Sequence, residues 1–239
     1  MIEPVIIHRN GNPTFFFVRK GHTDHISSTI RYSKQFYEYE LLEYIHKNYN
    51  SQKTIIDIGA HIGNYSVFFA KYLDCDHVIS FEPFPKNFTV LKKNMADYKE
   101  KSILHNTALS HKRGSLKLYN REGISTENRE NNFIITELYL ADIIDVLTLD
   151  MYRLTDISMI KIDVENHEND VLLGAKNTII RNKPLIFIIN SNNYLFPESN
   201  SQQAIMDDFH YVKKESNICE SNMDLWVPID DDKIMHTIF

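Results

Sequence analysis

Three short stretches of this 239-residue chain hold residue types that could do chemistry. The first is TIIDIGAHIGNYSVFFAKY, residues 54–72: an apolar run, a turn carrying Gly59 and Gly63, then an amphipathic segment. A strand that feeds a helix through such a turn puts a ligand outside the strand's carboxyl end, beside the helix N-terminus. Gly59 would let the backbone approach that ligand closely, Gly63 would open the helix, and Asp57 sets a carboxylate beside the pocket. Ala60 and His61 stand where a dinucleotide-binding GxGxxG would carry more glycine, which weighs against a nicotinamide ligand. The second stretch is SFEPFPKNF, residues 80–88, in which Glu82 closes an apolar run twenty-three residues after Gly59. An acid at that place can accept both hydroxyls of a ribose, so Asp57, the glycines and Glu82 together fit an adenosine-containing ligand. Pro83 and Pro85 stiffen the turn and start the next helix. A solvated strand-end carboxylate is the plain reading of Glu82 taken alone.

The third stretch is MIKIDVENHEND, residues 159–170. Read as a strand, it sends Lys161, Asp163 and Glu165 to one face and Ile160, Ile162 and Val164 to the other. A central parallel strand is apolar on both faces, so three charges there imply a polar cleft. The alternative is a structural ion pair between Lys161 and Asp163, with Glu165 or Asn166 capping the helix that follows. Asp163, Glu165, Glu168 and Asp170 also offer oxygen ligands to a divalent ion. The pattern does not require one, since the helix dipole accounts for Glu168 and Asp170, and the metal stays open. His22 and His25, in GHTDHISS, could reach over the cleft; their HxxH spacing on a loop is weak support for a metal.

Stepping outward, the elements that must hold these residues alternate between apolar runs and amphipathic segments, the mark of a parallel sheet covered on both faces. Strands are expected at 54–59, 77–82, 102–109, 159–164 and 185–190, with helices at about 63–73, 86–96 and 167–182. Ahead of them, Val5–Ile7 and Phe15–Val18 form a hairpin through Asn10–Pro13, and a helix follows at about 34–48. Residues 114–150 break the rhythm with two β-like runs, GSLKLYN and FIITEL, around the polar STENRENN, and are read as an insertion with a mobile tip. A helix near 200–209 and an antiparallel pair, HYVKKE and DLWVPI, close the chain. The fold class is therefore α/β: a doubly wound, mostly parallel Rossmann-like sheet with an antiparallel C-terminal strand. Residues 1–50 form an N-terminal extension of hairpin plus helix, and 51–239 the main domain.

Composition narrows the function classes. Twenty-six Lys and Arg against 32 Asp and Glu give a formal charge of −6, without the basic footprint of a protein that lives on nucleic acid. Fourteen Phe, 13 Tyr and a charged fraction of 24% exclude intrinsic disorder. No run approaches the ~20 apolar residues of a membrane span, and MIEPVIIHRNGNP lacks the flanks of a signal peptide, so a soluble, cytoplasmic protein is expected. Cys75 and Cys219 offer at most one disulfide and no CxxC pair, in keeping with a reducing compartment. The oligomeric state is not legible.

Taken in order, DIGAHIGNYSVFF, FEPFPKNFTVLKKN, HNTALS followed by GSLKLY, LTLD and IKIDVENHENDVLLGAKNTI resemble the FkbM family of S-adenosylmethionine-dependent methyltransferases. The resemblance runs from roughly Asp24 to Asn190. It implies that the turn from Asp57 through Gly59, Ala60, His61, Gly63, Asn64 and Tyr65 to Ser66 cradles the methionine part of the donor. It further implies that Glu82 and Pro83 border the ribose, that Asn106, Thr107 and Ala108 lie near the adenine, and that Asp163, Val164 and Glu165 border the reacting methyl. The chain departs from the family in having Asn166 where glycine is usual, Asn190 where a carboxylate is frequent, and His61 where Asn is common.

The family implies O-methylation of a sugar or glycan hydroxyl, with catalysis by alignment plus a base. His167 has the ordinary pKa nearest neutrality and is the first choice for that base, with Asp163 and Glu165 orienting the acceptor. A solvated histidine at a helix start is the competing reading. Two other functions remain in view, a nucleotide-dependent oxidoreductase on the same sheet and a non-catalytic module that keeps the donor fold. An RNA methyltransferase is a weaker third, for want of a basic tail or an NPPY-like motif.

Overall fold

The computed structural model describes residues 1–21, 24–49, 51–118, 142–190 and 201–229. Alternation of side chains builds its first element: β1 (Ile2–Arg9) and β2 (Asn12–Arg19) pair antiparallel across a turn whose Asn10 and Gly11 have φ of 48° and 80°. Val5, Ile7, Phe16 and Val18 are buried on one face, while Ile6 and Phe15 are exposed on the other. Helix α1 (His25–Ser33) follows, capped by Asp24, whose carboxylate accepts the Ser27 N–H at 3.2 Å. Helix α2 (Tyr39–Asn48) then packs Leu41, Leu42 and Ile45 inward. The helix expected at 34–48 is therefore confined to Tyr39–Asn48, and α1 ahead of it is not among the expected elements. Lys34 and Glu38 take left-handed φ of 57° and 53°, so the chain turns between two helices, and the apolar spacing read through that turn comes partly from loop residues.

The main sheet comes next. Its strands and helices alternate as β3 (Thr54–Ile58), α3 (Asn64–Tyr72), β4 (Val78–Phe81), α4 (Pro85–Asn94) and β5 (Ser102–His105). The strand expected at 102–109 breaks at Asn106 and Thr107. Its second part, β6 (Ala108–Leu109), joins a separate three-stranded sheet with β7 (Gly114–Leu118) and β8 (Asp142–Leu147), in the order β6-β8-β7. The strand pairing with GSLKL is thus Asp142–Leu147; FIITEL and STENRENN lie outside the described residues. The chain returns to the main sheet as β9 (Ile157–Ile162), crosses through α5 (Glu168–Gly174) and α6 (Lys176–Asn182) to β10 (Leu185–Ile189), and ends with α7 (Gln202–Asp208), β11 (Tyr211–Glu215) and β12 (Met223–Pro228). The helix expected at 167–182 is therefore two, separated at Ala175, whose φ of −110° departs from helical geometry.

The order is β11-β12-β10-β9-β3-β4-β5, with β10 through β5 parallel and β12 antiparallel to both of its neighbours, β10 and β11. Strand order reverses between β3 and β9, and the carboxyl ends flanking that switch point are where ligands bind in such sheets. Successive strand residues feed opposite faces. Ile55, Val78, Met159 and Phe187 join α2, α3 and the hairpin in one core, whereas Ile56, Ile79, Ile160 and Ile186 join α5, α6 and α7 in another. Both cysteines are free, and among the described residues no helix is long and apolar enough to cross a membrane.

Gly174 explains how α5 lies so close to the small sheet, since a Cβ built there would stand 2.0 Å from the Ser110 carbonyl oxygen. Gly174→Ala should therefore destabilise the protein by about 1–3 kcal/mol in urea unfolding, whereas Gly114→Ala, with nothing within 4 Å, should not.

Candidate active site

The floor of the site is a buried charge. Lys161, near the end of β9 and 2% exposed, places Nζ 3.2 Å from Asp57 Oδ1 and 3.7 Å from Asp163 Oδ2, and donates to the Gly59 carbonyl at 3.1 Å. Its ammonium also stands 4.9 Å from the ring centre of Tyr65. Asp57 is fully buried; its other oxygen accepts from Ser66 Oγ at 2.6 Å, and Ser66 Oγ lies 2.8 Å from Ser80 Oγ. Burial pulls the Lys161 pKa down, but Asp57, then Asp163, then Glu38 hold it above its ordinary value.

Above this floor the β3–α3 turn is tied to the neighbouring strand, for the N–H groups of Gly59 and Ala60 both donate to the Phe81 carbonyl, at 2.9 and 3.0 Å. Gly59, at φ +80°, has no room for a side chain: a Cβ would sit 1.8 Å from the Asp163 carbonyl oxygen. Gly63, at φ +92°, starts α3 with Leu91 Cδ1 only 2.8 Å from where its Cβ would be. Glu82, at the end of β4 and 3% exposed, accepts from the backbone N–H of His61 at 2.8 Å and of Phe84 at 2.9 Å. Burial nevertheless raises its carboxyl to about 7, against the pull of those N–H donors. His61 is half-buried at φ 51°, and burial lowers its imidazole pKa.

The β9–α5 connection corrects the on-strand alternation expected for 161, 163 and 165. The strand stops at Ile162, and Glu165 and Asn166 take left-handed φ of 55° and 74° in the loop beyond. Asparagine tolerates that conformation better than most side chains, which suits Asn166 to a position where glycine is usual. Neither Glu165 nor Asn166 caps α5. Glu168, fully buried, turns its Oε1 back to accept the N–H of Val164 at 3.1 Å and of Asn166 at 3.2 Å, so it ties the loop rather than only meeting a helix dipole. Asp170 sits between two histidines, 3.0 Å from His111 Nδ1 and 3.6 Å from His167 Nδ1. Among the described residues no three His, Cys, Asp or Glu converge as a metal would need.

Two adjoining cavities open at these strand ends. The smaller, about 310 Å³, is mainly apolar and is lined by Phe81, Thr107, Ala108, Leu109, Val146 and His167 among others. The larger, about 660 Å³, is more polar than the smaller and takes in Glu82, His61, Asp163, Glu38, Tyr37 and His25. Gly59, Pro83, Phe84, Val164 and Glu165 belong to both. The structure thus brings Gly59, His61, Glu82, Pro83, Thr107, Ala108, Asp163, Val164, Glu165 and His167 to the cavity walls. Asp57, Ala60, Gly63, Asn64, Tyr65 and Ser66 stand behind them and hold the turn. Asn106 braces the β4–α4 turn instead, donating through Nδ2 to the carbonyls of Glu82 at 2.8 Å and Pro83 at 2.9 Å. His22 lies outside the described residues; His25 does reach the cleft. Sequence reasoning missed Glu38, Tyr37, Arg19 and Phe84. The first three come from the extension, where no strand-end pattern marks them, and only the PFP of SFEPFPKNF hinted at Phe84.

The family model of the methyltransferase FkbM domain matches residues 57–214, well over half of the chain, and the chain belongs to this family. A solved methyltransferase FkbM from Methylobacillus flagellatus KT aligns with a TM-score of 0.54 at 16% identity, covering 86% of this chain and 55% of that one. The chain therefore spans about half of that protein's length, and the likeness bears on fold. Further matches include the 16S rRNA N2 G1207 methyltransferase of T. thermophilus in complex with AdoMet and guanosine (TM-score 0.48, 12% identity, 96% of this chain and 51% of that one). TYW2 of M. jannaschii in complex with AdoMet also matches (0.43, 13%, 94% and 83%). At those TM-scores neither bears on function. No curated protein matches the sequence.

The raised Glu82 carboxyl has a measurable consequence. Its folded pKa of about 7 lies above the ordinary 4.5, so between those values the folded state holds more protons than the unfolded one and loses stability as pH rises. Glu82→Gln should lack this term. In urea titrations, stability of the wild type relative to the variant should fall from about pH 4.5 to about pH 7 and then level off.

Proposed function

We propose, with family membership as the premise, that this chain transfers a methyl group from S-adenosylmethionine to a hydroxyl of a sugar or glycan. The observation that carries the reading is the pairing of a mainly apolar compartment with a more polar cleft, joined at Gly59, Pro83, Phe84, Val164 and Glu165. Such a donor has matching parts, a flat apolar base at one end and a zwitterionic amino acid at the other. In this reading Thr107, Ala108 and Leu109 hold the adenine, Glu82 the ribose, and the glycine turn the chain that leads to sulfur. The missing Cβ at Gly59 keeps that passage open.

When bound, the donor supplies a methyl already activated by the positive sulfonium. What is left to the protein is to line up an acceptor oxygen, exclude water and take one proton. Glu165, where the two compartments meet, and Asp163, in the larger one, orient the acceptor hydroxyl. His167 takes the proton: Asp170 beside its Nδ1 favours the tautomer with a proton there, which leaves Nε2 as the acceptor. The −6 charge weighs against a nucleic-acid acceptor. A nucleotide-dependent oxidoreductase and a non-catalytic donor-binding module are the readings this one must beat.

Calorimetry should show binding of S-adenosylmethionine and none of a nicotinamide dinucleotide; the reverse would overturn the donor assignment. A labelled-methyl screen over nucleotide sugars and oligosaccharides, with the product located by NMR, should then find an O-methyl sugar. His167→Ala should cut kcat by about 10²–10⁴ in transfer assays run at saturating donor. If donor binds but neither His167→Ala nor Asp163→Ala alters any transfer, the non-catalytic module is the better account.

A further inference from the structure

The larger cleft receives one carboxylate that no strand-end motif announces. Glu38, the residue before α2, is fixed at φ 53°, a costly conformation for a residue with a Cβ. It is held there by two consecutive residues of α3. Asn64 Oδ1 accepts the Tyr37 N–H at 2.9 Å, Asn64 Nδ2 donates to the Tyr37 carbonyl at 3.0 Å, and the Tyr65 hydroxyl donates to Glu38 Oε2 at 2.5 Å. These bonds clamp the extension onto the start of the helix that follows the glycine turn. Strain kept in place by this many contacts is characteristic of functional positions.

Glu38 lines the same cleft as Gly59, Glu82 and Asp163. Its Oε2 is taken by Tyr65, while Oε1 has no hydrogen-bond partner among the described residues. Burial raises its carboxyl pKa; the Tyr65 hydroxyl and then Lys161 pull it back only in part, and the nearby Asp163 charge adds to the rise. A half-satisfied carboxylate at the edge of a ligand cleft is completed by a cation with N–H donors.

We propose that Glu38 Oε1 binds the α-ammonium of the donor's amino-acid end, so that the N-terminal extension selects a donor with its amino acid intact. The inference rests on the donor reading above. Its position fits: with adenine in the apolar compartment and ribose at Glu82, the remaining end of the donor passes Gly59 into the cleft that Glu38 lines. The extension then closes the donor site as well as overhanging the acceptor.

The test is calorimetry on the full chain with three ligands: S-adenosylmethionine, S-adenosylhomocysteine, and 5′-methylthioadenosine, which keeps the adenosine and sulfur but lacks the amino acid. Glu38→Gln should weaken the first two by about tenfold or more, the loss expected for a hydrogen bond to a charged group, and leave the third within about twofold. Unchanged affinity for all three ligands overturns the proposal. So does an equal loss for all three, which would mean that Glu38 only shapes the site. Should Glu38→Gln fail to fold, Glu38→Asp decides on the same selectivity: a loss confined to the two amino-acid-bearing ligands supports the proposal, and no such difference overturns it. If the wild type binds none of the three, the donor reading itself fails and the inference falls with it.

Discussion

The site depends on one buried ammonium. Lys161 reaches up from β9 to hold Asp57 of β3, the carbonyl of Gly59 in the next turn, and Asp163 at its own strand's end. Burying such a charge is costly unless it is paired, and here the pairing joins the two strands that flank the switch point. Removing the lysine would leave the buried Asp57 without its cation, whereas removing Asp57 would leave the lysine only Asp163 and the Gly59 carbonyl. The pair is thus both the structural ion pair that the residue pattern allowed and the reason the polar cleft has a fixed floor. Asp163 shares in it while remaining about one-third exposed, which makes it the point where floor and cleft meet.

Around that floor the backbone departs repeatedly from ordinary conformations. Glu38, His61, Glu165 and Asn166 all have positive φ, and all but Asn166 line the larger cleft. Three of the four are held by a bond from another element: Tyr65 to Glu38, Glu82 to the His61 N–H, and Glu168 to the Asn166 N–H. Clustering of this kind reflects pre-organisation, with the cost of the local geometry offset by surrounding packing. Gly59 belongs to the same design, because the Asp163 carbonyl approaches to where a Cβ would stand and binds the two strand ends into one wall.

Much of this was legible in the residues. The parallel strands, their helices and the antiparallel closing pair follow from hydrophobic periodicity, and Gly59, Glu82 and Asp163 follow from their places at strand ends. What stayed hidden has physical causes. The break after β5 comes from Asn106, whose side chain braces the neighbouring turn, a tertiary contact that a continuous apolar run conceals. The separation of α1 from α2 is set by left-handed Lys34 and Glu38, neither of them a residue type that signals a turn. Asp57 and Ser66 belong to the motif yet face each other behind the cavity wall, because a motif fixes spacing and not which side chain meets the ligand. Glu38 and Tyr37 enter through the fold of the extension, far in sequence from the turn they touch.

The central claim is that the carboxyl ends of β3, β4 and β9 hold an adenosyl donor with its sulfur beside Asp163. A crystal structure with S-adenosylhomocysteine tests it most directly. The account predicts adenine against Thr107, Ala108 and Leu109, ribose hydroxyls at Glu82, and sulfur near Gly59 and Asp163. Ligand bound elsewhere, with the apolar compartment left empty, would contradict it.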